Sequence, residues 1–213
     1  MTETRPSLRA AGRRRIDATD LARVAVFAAI VAVLGLPGGF TILGSVPVTA
    51  QTLGVMLAGA ILGPRLGALS MTVLLILVAV GLPLLAGGRG GIGVFLGPTG
   101  GYALGFIAGA LVTGLIVHAG GRKPVLRRTF IGAVVGGVLA IYAVGIPVQS
   151  LVTRLPLGET ALTSLVFLPG DFIKAVIATG IVMALLRGYP RAFRRDWAAE
   201  SHADSVPERT SAR

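Results

Sequence analysis

The sequence predicts an all-α integral membrane protein with six transmembrane helices and both termini in the cytoplasm. Composition is the first observation behind this prediction: of 213 residues, 54% are hydrophobic and only 14% are charged, with a mean hydropathy of +0.82. A typical soluble domain carries about 25% charged residues. The second observation is that residues 24–64, 66–88, 90–121 and 129–153 contain no charged residue. Each run exceeds the roughly 20 apolar residues that a spanning helix needs, and the runs lack the polar face of a soluble helix.

Glycine and proline divide these apolar runs into separate spans. Pro37 and two glycines end the first span, Gly63-Pro64 separates the second from the third, and a glycine-rich loop over residues 87–93 precedes the fourth. A charged turn over residues 120–128 precedes the fifth. The six predicted spans are residues 20–36, 49–62, 66–85, 100–119, 129–151 and 164–186.

The basic residues set the orientation of the spans. The chain has 20 Lys and Arg against 9 Asp and Glu, a formal net charge of +11. Seventeen of the basic residues fall in the two tails and in the second-to-third and fourth-to-fifth turns, whereas the opposite loops contain only Arg89 and Arg154. Because cytoplasmic flanks are rich in Lys and Arg, both termini are predicted to be cytoplasmic. The charge then reflects topology and attraction to the lipid bilayer, and we expect no nucleic-acid partner.

The same patterns predict three regions along the chain. Residues 1–19 form a basic cytoplasmic tail, which has no convincing signal-peptide cleavage site. Residues 20–188 form the six-helix membrane domain. Residues 189–213 form a second cytoplasmic tail, and its polar, mixed-charge composition is typical of disorder.

Asp171 is the most informative position for function. Between residues 24 and 186 the only acids are Glu159, in an outer loop, and Asp171, in an apolar segment. Asp171 and Lys174 are three residues apart, so they share a helix face, and Pro169 places them near a helix N-terminus. Ionisable groups inside a membrane usually serve function. The pair therefore either binds a ligand or staples the sixth helix to a neighbour.

Two further polar segments are candidates for a binding site. Gln51 opens the second span, where its amide can contact a neutral ligand or a neighbouring helix. The glycine-rich segment around Arg89 is followed by residues 97–102, which include Thr99 and Tyr102. This connection is either a flexible outer loop or a lid over an outward-facing pocket.

Small residues recur at every fourth position on three spans. Such faces let helices approach closely, either within the chain or against a partner membrane protein. The positions are Ala25 and Ala29, Ala28 and Ala32, Gly101, Gly105 and Gly109, and Gly132 and Gly136.

Enzyme classes fit the sequence poorly, so no catalytic residue is assigned. The chain has no Cys, and Asp171 has no second intramembrane acid with which to share a proton as in an aspartyl protease. Metal-ligand clusters and nucleotide-binding motifs are also missing from the sequence. Binding or transport without a metal or cofactor is the expected class.

Three motifs together resemble the BioY family, the biotin-specific substrate-binding (S) components of energy-coupling-factor (ECF) transporters. They are V-P-V-T-A-Q-T-L at 46–53, G-P-T-G-G-Y at 97–102 and P-G-D-F-I-K at 169–174, and the resemblance covers about residues 20–188. It implies six helices, and a vitamin pocket near the outer face that the first and third outer-side loops cap. It also implies high-affinity biotin uptake across the bacterial cytoplasmic membrane. A membrane coupling (T) component and two ATPase subunits would be partners, although some members work without them.

The resemblance and the chemistry of biotin together suggest roles for the candidate residues. Asp171 would accept from a ureido N–H and Lys174 would donate to the ureido carbonyl. Tyr102 would supply a packing face and Gln51 an amide contact, and Thr99 completes the motif-derived set. Arg89 would reach the ligand carboxylate, a role that rests on its charge and matches no family position.

Helix one is the expected docking surface for the membrane partner. In the wider group of S components an Ala-xxx-Ala face on this helix contacts the coupling component. Ala25 and Ala29 match that pattern best, with Ala28 and Ala32 offset from them. The alternatives to biotin transport are an S component for another small vitamin, or a structural or assembly membrane protein that does not transport.

Overall fold

The structure is a computed structural model that describes residues 16–37, 49–121 and 123–193. In these ranges every regular element is a helix, apart from one bridging pair formed by Leu85 and Arg89. The α-helices are α1 (Ala18–Val33), α2 (Gln51–Leu62), α3 (Pro64–Ala79), α4 (Gly93–Leu96), α5 (Gly100–Val117), α6 (Leu126–Val134), α7 (Ile141–Thr153), α8 (Leu157–Ser164) and α9 (Leu168–Gly188). Short 3₁₀ segments lie at Ala119–Gly121, Leu165–Phe167 and Pro190–Ala192, and a π-helical segment joins α6 to α7 at Val135–Ala140.

Several helices have the length and composition of membrane spans. Within the described ranges, three continuous helical stretches are long and apolar enough to cross a bilayer: Gly100–Val117, Leu126–Thr153 and Leu157–Gly188. The helices α2 and α3 are apolar but shorter. Large aliphatic side chains such as Val80 and Leu115 are exposed on the outside of the bundle, which suits lipid and would not suit water. The prediction of an all-α membrane protein is confirmed, whereas the count of six spans stays a prediction.

Two predicted span boundaries are wrong. The third span was expected to reach residue 85, but α3 ends at Ala79 and the chain turns away at Gly81, whose φ is 117°. The sixth was expected to begin at residue 164, but the helical stretch begins at Leu157. Thr160 and Ser164 donate to carbonyl oxygens four residues earlier, so their hydroxyls are satisfied inside the helix.

The central helix of the bundle is α5, which packs against α2, α3, α6 and α7. Glycines make this close packing possible. Gly105 and Gly109 face Ile141 of α7, and Gly59 of α2 faces the backbone of Ala110, so closely that a side chain at any of these glycines would collide. The same is true of Gly101, Gly132 and Gly136. The small-residue faces of α5 and α6 therefore serve packing within the chain.

The last described residues fold back onto the bundle. Phe193 is 1% exposed and belongs to a core cluster that includes Val117 and Val182. Arg23 of α1 donates a hydrogen bond to the Arg191 carbonyl oxygen at 3.1 Å. Residues 189–193, which the predicted C-terminal tail (189–213) includes, thus pack on the bundle through a buried aromatic ring, and the division of the chain into three regions stays a prediction. The remainder of both predicted tails and the first outer-side loop (38–48) lie outside the described residues.

Candidate functional site

A cavity that is partly open to the outside lies between α2, α5, α7, α9 and the loop that follows α3. Concave sites with mostly apolar walls and a few convergent polar groups are typical of small-molecule binding. The cavity brings together all six residues that the sequence suggested for ligand binding: Gln51, Arg89, Thr99, Tyr102, Asp171 and Lys174. The other lining residues are Thr49, Thr52, Leu85, Ala86, Ala103, Phe106, Ile141, Tyr142 and Phe167.

One end of the cavity is polar because Asp171 is buried there. Asp171 lies in the first turn of α9, is 3% exposed, and forms an ion pair with Lys174 at 2.9 Å. Tyr142 of α7 donates to the second carboxylate oxygen at 2.6 Å, and Thr52 of α2 lies 3.4 Å from the first. Lys174 also donates to the Thr52 hydroxyl at 3.1 Å. We call these four residues the carboxylate cluster.

The carboxylate cluster retains both an acceptor and a donor for a ligand. An ionised carboxylate has about four lone-pair sites, and Asp171 uses three of them on Tyr142, Lys174 and Thr52. A lysine ammonium has three N–H donors, and Lys174 uses two of them. One acceptor position on Asp171 and one donor on Lys174 therefore remain unused, which suits a neutral ring carrying both an N–H and a carbonyl.

Arg89 supplies the positive charge of the loop that follows α3. The loop turns tightly between the bridging residues Leu85 and Arg89, and Gly87 and Gly88 have φ values of 75° and 69°, which side chains disfavour. The Arg89 guanidinium donates to the Ala86 carbonyl at 3.0 Å and to the Thr99 hydroxyl at 3.1 Å. In the described part of the chain it has no acidic partner. Its remaining N–H donors are available to an anionic ligand.

Gln51 lines the cavity, but its polar atoms bind the backbone. The side-chain nitrogen donates to the carbonyl oxygens of Val31 at 3.2 Å and Leu84 at 3.0 Å, and the side-chain oxygen accepts from the Ala86 N–H at 3.1 Å. The residue is only 2% exposed. Of the two expectations for this amide, the contact with a neighbouring helix is therefore the one observed.

Tyr102 presents its ring to the cavity while its hydroxyl points into the bundle. The hydroxyl donates to the Gln149 side-chain oxygen at 2.8 Å and lies 2.9 Å from the Ser164 hydroxyl. The ring meets the Tyr142 ring edge-on, with centroids 6.0 Å apart. Together with Phe106 and the other apolar lining residues it forms a wall for the non-polar body of a ligand.

Comparison with known proteins identifies the family of this chain. The model of the BioY family matches residues 7–191. The chain belongs to the BioY family. The biotin transporter BioY of Rhizobium etli is 44% identical over 178 residues, which cover 80% of this chain and 95% of that protein. The biotin transporter BioY of Rhodobacter capsulatus is 43% identical over 175 residues, covering 78% and 92%.

A solved structure shares the fold of this BioY chain. It is the 2.1 Å crystal structure of the S-component for biotin from an ECF-type ABC transporter, with a TM-score of 0.73 and 33% sequence identity. The match covers 83% of this chain and 96% of that one. The prediction of an all-α membrane protein of the S-component type is therefore confirmed along most of the chain.

Sequence reasoning missed Tyr142 and did not assign Thr52 as a site residue, although both contact Asp171. Thr52 lies next to Gln51 in the first motif, so its position was a usable signal. Tyr142 lies 29 residues from Asp171. Only its hydroxyl distinguished it from the apolar residues next to it, and that does not reveal its partner.

The four alanines proposed for partner docking lie on different faces of α1. Ala25 and Ala29 are exposed, Ala32 is half-buried, and Ala28 is buried in the core beside Val31. The offset pair therefore faces inward, because positions 28 and 31 lie on the core side of this helix. Ala25 and Ala29 remain available on the outer surface of this BioY chain.

We predict that Tyr142→Phe destabilises the ligand-free protein through Asp171. A hydrogen bond to a charged group contributes about 1.5–3 kcal/mol, so the free energy of unfolding in detergent should fall by that amount. In an Asp171→Asn background the same change should cost only the roughly 0.5–1.5 kcal/mol of a neutral hydrogen bond. Chemical unfolding of the wild-type chain, the two single variants and the double variant measures both values.

The matched control is Tyr189→Phe, because Tyr189 is 59% exposed. That change should stay within about 0.5 kcal/mol, as surface substitutions usually do. Equal losses from Tyr142→Phe in the wild-type and Asp171→Asn backgrounds would contradict the carboxylate interaction.

Proposed function

We propose that this BioY chain captures biotin and mediates its uptake across the membrane, as the substrate-binding component of an ECF-type transporter. The observation that carries the proposal is the cavity, which has the carboxylate cluster, an aromatic wall and Arg89 around one space. The relatives named as biotin transporters support the choice of biotin. A transporter component, rather than an enzyme, is also what family membership supports.

The ureido ring of biotin matches the carboxylate cluster in kind. This ring is neutral and carries two N–H donors and one carbonyl acceptor. Asp171 has an acceptor position left for a ureido N–H, and Lys174 has a donor left for the ureido carbonyl. Both bonds would involve a charged protein group, and such bonds are roughly twice as strong as neutral ones.

The rest of biotin matches the rest of the lining. Its thioether ring and valeryl chain are apolar and would lie against Phe106, Ile141, Phe167 and the Tyr102 ring. Its carboxylate would bind the unused donors of Arg89, and Thr99 would act by holding the guanidinium. The direct amide contact first expected of Gln51 has little support, since its polar atoms already bind the backbone.

Binding of labelled biotin to the purified chain tests the proposal. Wild-type protein in nanodiscs should bind biotin saturably, and unlabelled biotin should compete better than other small vitamins. Asp171→Asn and Lys174→Ala should each weaken binding by about tenfold or more, because each change removes or weakens a hydrogen bond between a charged protein group and the ligand, which is worth about 1.5–3 kcal/mol.

The matched control is Glu159→Gln, which neutralises an acid of α8 that does not line the cavity. It should leave biotin affinity unchanged. If a different vitamin bound saturably and biotin did not, that vitamin would be the ligand in place of biotin. Wild-type affinity in both charge variants would exclude direct contact with the pair.

The topology that we propose has six spans, with both termini on the cytoplasmic side of the bacterial cell membrane. The distribution of basic residues supports it, with seventeen on one predicted face.

Cysteine labelling tests this topology. The chain has no Cys, so a single introduced cysteine is the only thiol of the chain that can be labelled. Gly158→Cys and Gly188→Cys occupy open positions at opposite ends of one helical stretch. An impermeant maleimide should label Gly158→Cys in intact cells and Gly188→Cys only after permeabilisation; the reverse pattern would invert the topology.

The partners that we propose are a membrane coupling component and two ATPase subunits. The related structure is an S-component of an ECF-type ABC transporter, and the exposed Ala25–Ala29 face of α1 is open for docking. The affinity-tagged chain, purified from its own cells in mild detergent, should retain an ATPase pair. Ala29→Leu should reduce that recovery and leave biotin binding unchanged, whereas recovery without any ATPase would indicate the solitary mode of transport.

A further inference from the structure

Gln51 lines the cavity but is poorly placed to bind a ligand directly. Its side-chain amide is almost completely buried and already bonded. Both N–H donors of the amide are used on the Val31 and Leu84 carbonyls, and its oxygen accepts from the Ala86 N–H. An amide group has two donors and one carbonyl oxygen. Little of its hydrogen-bonding capacity is left for a ligand.

The groups that Gln51 bonds belong to two separate elements. The Val31 carbonyl lies in the last turn of α1, where helix carbonyls lose their intrahelical partners. Ala86 belongs to the tight turn between Leu85 and Arg89, and Leu84 directly precedes that turn. The amide of Gln51 therefore joins the end of α1 to the turn that carries the cationic residue of the cavity.

The link from Gln51 to Arg89 passes through the backbone of Ala86. The Ala86 N–H donates to the Gln51 side chain at 3.1 Å, and the Ala86 carbonyl accepts from Arg89 Nε at 3.0 Å. The direction of the guanidinium thus depends on the orientation of this backbone segment. Gln51 holds that segment through the Ala86 N–H.

The close approach of Gly35 is a second, independent observation that the structure around the Gln51 amide is tightly packed. A Cβ atom at Gly35 would lie 2.7 Å from the Gln51 side-chain nitrogen and 3.0 Å from its side-chain carbon. Glycine at this position lets the end of α1 close over the amide. Gly35→Ala would therefore displace the amide without removing any polar group.

From these contacts we infer that Gln51 is a positioning residue for Arg89. It holds the turn so that the guanidinium faces the cavity, where it binds the anionic end of a ligand, and it makes no direct polar contact with that ligand. This inference rests on the proposed binding of biotin, whose carboxylate is the anionic group concerned. It predicts that Gln51 governs recognition of the carboxylate and not of the ureido ring.

Two ligands separate these effects: biotin, and biotinamide, whose tail is neutral. Gln51→Met keeps the length of the side chain and removes its hydrogen bonds. It should weaken biotin binding by about tenfold or more, the scale of one hydrogen bond to a charged group. Binding of biotinamide should change by less than about threefold. Gly35→Ala should produce the same selective loss through displacement of the amide.

A double-mutant cycle with Arg89→Met tests the route of the effect. If Gln51 acts through Arg89, Gln51→Met should cause little further loss of biotin affinity once Arg89 has been replaced, because coupled residues are non-additive. Ser70→Ala is the matched control for a lost buried bond to α1, since Ser70 donates to the Val24 carbonyl at 2.9 Å and does not line the cavity. It should leave the ratio of the two affinities unchanged.

Three outcomes would overturn the inference. Equal weakening of biotin and biotinamide by both Gln51→Met and Gly35→Ala would assign Gln51 a general role in the fold. Additive losses in the Arg89 cycle would show that the two residues act separately. If the wild-type chain bound neither ligand, the proposed function would fail and the inference with it, a result that differs from loss of selectivity alone.

Discussion

The buried ion pair between Asp171 and Lys174 is the interaction on which the rest of the site depends. Charges inside an apolar bundle are costly unless they are paired and hydrogen-bonded. The pair lies within one turn of α9, but its remaining hydrogen-bonding positions need groups from other helices. Tyr142 of α7 and Thr52 of α2 provide them. Three helices must therefore converge at one point, and that convergence defines the polar end of the cavity.

The two ends of the cavity are held by different means. The residues of the carboxylate cluster lie on the helices α2, α7 and α9, of which α2 and α7 pack closely against α5. Arg89 lies in a turn, and a turn positions a binding group less precisely than a helix does. Thr99 and the Ala86 carbonyl hold its guanidinium, and Gln51 ties the turn to α1. Hydrogen bonds from the loop to the helices thus compensate for the weaker support.

The sequence predicted which polar residues line the cavity better than it predicted the contacts that these residues make. Asp171 and Lys174 were recognisable because charge is rare in the spans, and their spacing alone places them on one helix face. Tyr142 was missed because its contact with Asp171 depends on how α7 packs, which no local pattern records. The direction of the Gln51 amide was open for the same reason. Likewise, the start of α8 was missed because Pro156 and Gly158 around Glu159 are typical of a loop, whereas Pro156 here directly precedes the helix.

Charge balance narrows the class of ligand independently of family membership. Asp171 and Lys174 neutralise each other, so Arg89 leaves the cavity with one uncompensated positive charge among the described residues. A ligand with one negative charge at one end and a neutral polar ring at the other satisfies both regions. Apolar walls distinguish ligands that differ by a methylene only by about 10–200-fold, whereas buried hydrogen-bonding groups reject analogues that leave them unpaired by about 10⁴–10⁵-fold. Selectivity among vitamins of similar shape should therefore reside in the carboxylate cluster, because an analogue without the ureido groups would leave Asp171 and Lys174 unsatisfied.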